Sequence, residues 1–81
     1  MNLLEETRKA KTFLNGINLI EIKETLNKIN FSARERELLQ FILDKKTVKE
    51  IAIELNLSTS YISYLKEQIY RKIAMYLDLA I

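Results

Sequence analysis

The sequence has no cysteine, no histidine, no proline and no tryptophan, and a single glycine. Without Cys or His there is no disulfide, none of the commonest zinc sites, and none of the usual nucleophile–base pairs. One glycine cannot build a glycine-rich phosphate loop, and no carboxylate pair stands out for acid–base work. The chain is therefore not expected to be an enzyme, and no metal, cofactor or small-molecule substrate is expected. No segment resembles an export signal, and no apolar run is long enough to span a bilayer, so a cytoplasmic protein with no membrane partner is expected. The lack of proline leaves little to interrupt helices.

What is present suits one small globular unit. There are 81 residues, 48% hydrophobic and 30% charged, which is too apolar for a disordered chain. We expect an all-α domain over residues 1–81, with N-terminal helices in 1–30 and a helix-turn-helix segment in 31–81. A chain this short buries a limited core, so a second copy would help it. The net charge of +2 says little by itself. Its distribution says more, because residues 45–72 hold six basic residues against three acidic ones. That excess suits a nucleic-acid surface, and equally an ordinary solvated helix face.

The stretch from Thr47 to Ile73 organises the rest. Thr47-Val48-Lys49-Glu50 reads as a capping box, in which hydroxyl and carboxylate satisfy each other's backbone amides. Ser58 can cap the next helix, with Leu57 and Ile62 at the positions of a hydrophobic staple. Between the caps lie an apolar face of Ile51, Ala52 and Leu55, and then Asn56, which tolerates a left-handed turn. Ala52 is small enough for a close helix crossing. Ile62, Leu65 and Ile69 continue at helical spacing. Upstream, three more starts are expected. The first is at Asn2, with a helix to about Leu14, where Gly16 would form a left-handed cap. The second is at Asn18, with Leu19, Ile22, Leu26 and Ile29 as its apolar stripe, closed by Asn30 and Phe31. The third is at Ser32, with Leu38, Phe41 and Ile42 facing the core and Leu39 to one side. Phe31 is expected in the core. The fourth helix is predicted at Val48 to Leu55, and a long fifth from after Ser58 to about Leu79.

Ile51, Ala52, Leu55, Asn56, Leu57, Ile62 and Leu65 fill the general helix-turn-helix pattern. FSARERELLQFIL, then KEIA, LS and IYRKI, resembles the LuxR/GerE family of bacterial regulators over Phe31 to Ile73. ETLNKINFSARERELLQFIL also resembles region four of bacterial sigma factors, which shares the fold. The resemblance implies a DNA-binding transcription regulator whose fifth helix reads a major groove of double-stranded DNA. The alternative is a sigma-region-four-like module that docks on RNA polymerase or an anti-sigma factor. Two departures stand out. Lys45 occupies a position where the LuxR pattern usually has Gly, and Ala74 occupies another.

Projection of the fifth helix puts Leu65, Ile69, Ile73 and Tyr76 on the side of Ile62 and Ser60, Tyr64, Glu67 and Arg71 opposite. Tyr61 and Ser63 flank the outward stripe. Ser60, Tyr61, Ser63, Tyr64 and Glu67 are the candidate base-facing residues. Tyr64 can reach a phosphate or a thymine methyl, and Glu67 can accept from cytosine or simply repel phosphates. Candidate phosphate contacts are Arg34, Lys46, Thr47, Lys49, Thr59 and Arg71. For Thr47 the plainer role is a helix cap. For Arg34 and Arg36 it is local ion pairing on a solvated face. Met75, Leu77, Leu79 and Ile81 are apolar on several sides of the helix. They read as burial within the chain, a homodimer seam, or a docking patch for a partner such as RNA polymerase.

Overall fold

The computed structural model describes residues 3–79, and nothing of the Leu3 side chain. The expected start at Asn2, and Ile81, lie outside the described residues. Among those residues there are five helices and no strand: α1 (Leu3–Leu14), α2 (Leu19–Asn27), α3 (Ala33–Leu43), α4 (Val48–Leu55) and α5 (Thr59–Leu79). The fold is all-α, with a helix-turn-helix and a long last helix. The residues fall into two compact units. One is Phe31–Ile69, and the other takes the described residues on either side of it.

The starts follow the caps. The Asn18 side chain accepts from the Glu21 amide at 3.0 Å and opens α2. Ser32 and Thr47 each form a complete capping box, with Glu35 and Glu50. Ser58 Oγ accepts from the Tyr61 amide at 3.1 Å and opens α5. A cap of this kind is worth about 1 kcal/mol.

Within Phe31–Ile69 the buried residues are Phe31, Glu35, Leu38, Leu39, Ile51, Ala52, Ile62, Leu65 and Ile69. Three details differ from the sequence expectation. Leu39 is buried, whereas Phe41 and Ile42 are only half-buried. Glu35 is 5% exposed rather than part of a solvated charge cluster. Its carboxylate turns back to accept from the Ser32 amide at 2.8 Å, so it cannot extend into water. Arg34 does make the local ion pair, with Glu37 at 2.8 Å. The Arg36 guanidinium lies over the Phe31 ring, 5.8 Å from its centre.

In the other unit, Ala10, Leu14, Ile22, Leu26, Ile29, Tyr70, Ile73 and Ala74 are buried. Polar contacts tie α1 to the end of α5. Lys9 pairs with Asp78, Arg71 Nε lies 3.5 Å from Glu6 Oε2, and Lys11 sits over the Tyr70 ring at 5.9 Å. That Glu6 oxygen is buried and has no hydrogen bond, so Arg71 supplies it with charge alone. Burial raises the Tyr70 hydroxyl above the usual tyrosine range. Gly16 has no positive φ, so α1 does not end in the expected left-handed glycine cap. Its amide donates instead to the Phe13 carbonyl at 3.1 Å. A Cβ at Gly16 would meet that same oxygen at 3.1 Å, so the tight turn still favours glycine. Leu19 is exposed, leaving Ile22, Leu26 and Ile29 as the buried stripe. Asn30 and Phe31 lie beyond the end of α2, which closes at Asn27 with the Lys28 amide on the Thr25 carbonyl.

Candidate nucleic-acid interface

The unit Phe31–Ile69 holds all of α3 and α4 and the capped first half of α5. The ends of α3 and α4 are built alike. After α4, Asn56 is left-handed at φ 55 and ψ 47. The Leu57 amide donates to the Ala52 carbonyl at 3.0 Å and the Asn56 amide to that of Ile53 at 3.3 Å. This pair of bonds is the Schellman arrangement, which satisfies carbonyls that the helix leaves open. After α3 the same pattern recurs around Lys45, at φ 64. Lys46 donates to Phe41 at 3.1 Å and Lys45 to Ile42 at 3.0 Å. Asn suits the left-handed region. For Lys it costs about 1–2 kcal/mol, because Cβ crowds the following carbonyl. Sequence reasoning, which treated Asp44-Lys45-Lys46 as a plain connector, missed this left-handed lysine.

At the entrance of α4, Thr47 N–H donates to Glu50 Oε1 at 2.9 Å, and Glu50 N–H donates to Thr47 Oγ1 at 3.1 Å. Those bonds hold the Glu50 carboxyl below the usual carboxylate range, first through the Thr47 backbone, then its hydroxyl, with a smaller contribution from Lys46. Because the folded value is depressed, this contribution to stability is present above the ordinary glutamate range. It is lost as pH falls through the folded value. The next two amides, of Val48 and Lys49, have no acceptor within the helix and stand beside the exposed Lys45, Lys46 and Lys49. Lys49 has no ion-pair partner among the described residues.

On α5 the inward stripe is Ile62, Leu65, Ile69 and Ile73, all buried, with Tyr76 half-buried. Thr59, Ser60, Tyr61, Ser63, Tyr64, Glu67 and Arg71 are exposed. Tyr61 and Tyr64 are 42% and 54% exposed. Their rings stack, with centres 6.4 Å apart and planes 18° from parallel. One flank of the helix therefore carries a broad aromatic surface bordered by hydroxyls. Of the remaining candidates, Arg34 is paired with Glu37. Arg71 belongs to the other unit, where it faces Glu6.

The sequence profile of the bacterial regulatory proteins of the LuxR type, also termed GerE, matches residues 29–76. That is more than half of the chain. The chain belongs to the LuxR family. At the level of that family it is a DNA-binding helix-turn-helix regulator of transcription. No curated protein and no solved structure gives a match. The LuxR match takes in the whole of α3 and α4 and most of α5. It runs past Ala74, which is buried inside the unbroken last helix. No helix among the described residues is long and apolar enough to cross a membrane.

The apolar candidates lie at the end of α5. Met75 and Leu79 are 55% and 84% exposed. Leu77 is half-buried, and Ile81 lies outside the described residues. Met75 and Leu79 line an open groove of about 390 Å³ with Ile29 and Tyr76, joined by Lys28, Asn30 and Lys72.

Proposed function

We propose that the chain is a cytoplasmic LuxR-type regulator that lays the first turns of α5 in the major groove of double-stranded DNA. Ser60, Tyr61, Ser63, Tyr64 and Glu67 face the bases. Lys46, Thr47, Lys49 and Thr59 hold the phosphates, and Arg34 and Arg71 can join them by exchanging their present carboxylate partners for phosphate. The observation that carries this reading is the exposed hydroxyl and tyrosine face on the capped half of α5. It lies inside the family match, opposite a fully buried stripe. Serine hydroxyls donate and accept alike, so they discriminate bases weakly, and the face lacks the bidentate Arg and Asn readers. Affinity is then modest and rests mainly on phosphates, which makes it steeply salt-dependent. A titration of the protein on genomic DNA fragments over a salt series tests this. Binding that weakens linearly on logarithmic axes is expected. Absence of binding even at low ionic strength contradicts it.

A second copy supplies the affinity that one weak reader lacks. Met75, Leu77, Leu79 and Ile81 are the proposed seam, supported by the exposure of Met75 and Leu79. The same exposure favours the alternative of a sigma-region-four-like module that docks on RNA polymerase or an anti-sigma factor. Sedimentation separates the two. The homodimer has twice the monomer mass at micromolar concentration, whereas the docking module stays monomeric until polymerase is added.

A further inference from the structure

We propose that Tyr61 and Tyr64 together read thymine methyl groups, so that the sites this protein prefers carry thymine against the start of α5. This contact rests on the DNA-binding reading above and names the base that the face selects. The chain has four tyrosines. Tyr70 is buried and Tyr76 half-buried. Tyr61 and Tyr64 are instead 42% and 54% exposed. Neither of their hydroxyls is hydrogen-bonded among the described residues. The two rings stack on each other, with centres 6.4 Å apart and planes 18° from parallel. Each ring thus already limits the other's rotamers, and less freedom remains to be lost on binding. A phosphate would use only the hydroxyl at the tip of a ring and leave its face in water.

The groove decides what the rings can meet. In duplex DNA the base faces are covered by their neighbours. The major-groove edges carry donors and acceptors, with one apolar exception, the C5 methyl of thymine. Tyr61 and Tyr64 lie in the first two turns of α5, the part of a recognition helix that reaches base edges. Their neighbours select weakly. Ser60 and Ser63 are exposed hydroxyls that donate and accept alike. No exposed position from Thr59 to Ile69 carries Arg, Lys, Asn or Gln, since Lys66 and Gln68 are half-buried. Glu67 is exposed, and an ionised carboxylate only accepts, which sets it against the two acceptors of guanine. Apolar contact is therefore the strongest discrimination this face offers, and thymine is its object.

The test uses the full chain, a duplex of its tightest genomic fragment, and the same duplex with every thymine replaced by deoxyuridine. Uracil keeps each hydrogen-bonding group of thymine and lacks only the methyl. The parent is expected to bind the uracil duplex about four- to fifteenfold more weakly, the range for losing one to two buried methyl groups. The salt slope should not change, because no phosphate contact is lost. A variant carrying both Tyr61→Ala and Tyr64→Ala should bind the two duplexes alike, and should melt like the parent because both residues are exposed. Equal parent affinity for the two duplexes would overturn the assignment. So would a difference that persists in the double variant, because it would then come from the shape of the DNA and not from the rings. In either case the DNA-binding reading stands, because the parent still binds duplex. A single strand of the same sequence that competes as well as the duplex would also overturn the assignment, by placing the rings on base faces. A parent that binds no duplex even at low salt overturns the DNA-binding reading, and the thymine contact with it.

Discussion

The first and second halves of α5 share one unbroken backbone and one buried stripe, yet they turn different chemistry outward. From Thr59 to Ile69 the exposed positions are hydroxyls, two stacked tyrosines and Glu67. From Tyr70 to Leu79 they are Arg71 and Asp78, both engaged with carboxylate or ammonium partners on α1, and the uncovered Met75 and Leu79. A hydroxyl and aromatic face suits a hydrated polyanion, whose bases and phosphates supply acceptors and ring faces. A methionine and leucine face gains only by losing water. One helix thus turns a polar, aromatic face and an apolar face outward in sequence, and the inward stripe says nothing about which is which.

The largest expected effect concerns what the halves have in common. Ile69 and Ile73 are both fully buried. Replacing either with Ala should cost about 2–5 kcal/mol, through lost burial and the cavity left behind. Denaturant melts of the two variants check this. If Ile73→Ala leaves the midpoint unchanged while Ile69→Ala lowers it, the second half is not part of the core and the shared stripe is an illusion. A smaller effect bears on continuity. Ala74→Gly inserts a helix-weakening residue between the halves and should cost about 1 kcal/mol, or roughly 4–8 °C in melting temperature for a domain of this size. An unchanged melt would mean that α5 is already broken there in solution. The smallest effect on stability comes from Met75→Glu, because an exposed substitution stays within about 0.5 kcal/mol. If the proposed seam is right, its effect on association should be plain, with sedimentation shifting from dimer to monomer. A dimer that survives it would move the seam elsewhere.

Much of this was legible in the sequence because the signals are short-range. The capping residues Asn18, Ser32, Thr47 and Ser58 sit where their spacing to Glu21, Glu35, Glu50 and Tyr61 predicts. The left-handed turn follows Leu55 at Asn56. Ala74, in place of a family glycine, correctly implied one long helix. What could not be read depends on tertiary surroundings. Periodicity alone does not decide between Leu39 and Phe41 for the core. The pattern of mixed charges hid the burial of Glu35, because its inward turn comes from its own cap. Gly16 signalled a left-handed end, but the chain there needed a tight turn instead. Lys45 was hidden by the opposite fault: its residue type gives no hint of positive φ, and the one signal for it is that the family pattern usually has Gly there. For the interface, exposure of the outward stripe followed from the 3.6-residue period. The pairing of Arg34 with Glu37 and of Arg71 with Glu6 required coordinates.

The central claim is that α5 reads bases while the entrance of α4 holds phosphates. A salt-dependent titration of Lys49→Ala and Tyr64→Ala, on a preferred site and on random duplex DNA, tests it most directly. Lys49 is exposed and has no ion-pair partner among the described residues, so its loss should weaken both DNAs alike and lower the salt slope by about one. Tyr64→Ala should weaken the preferred site more than random DNA, because base contacts carry the specificity. If both variants keep the parent's affinity and site preference, the outward face of α5 does not read DNA, and the protein-docking alternative takes its place.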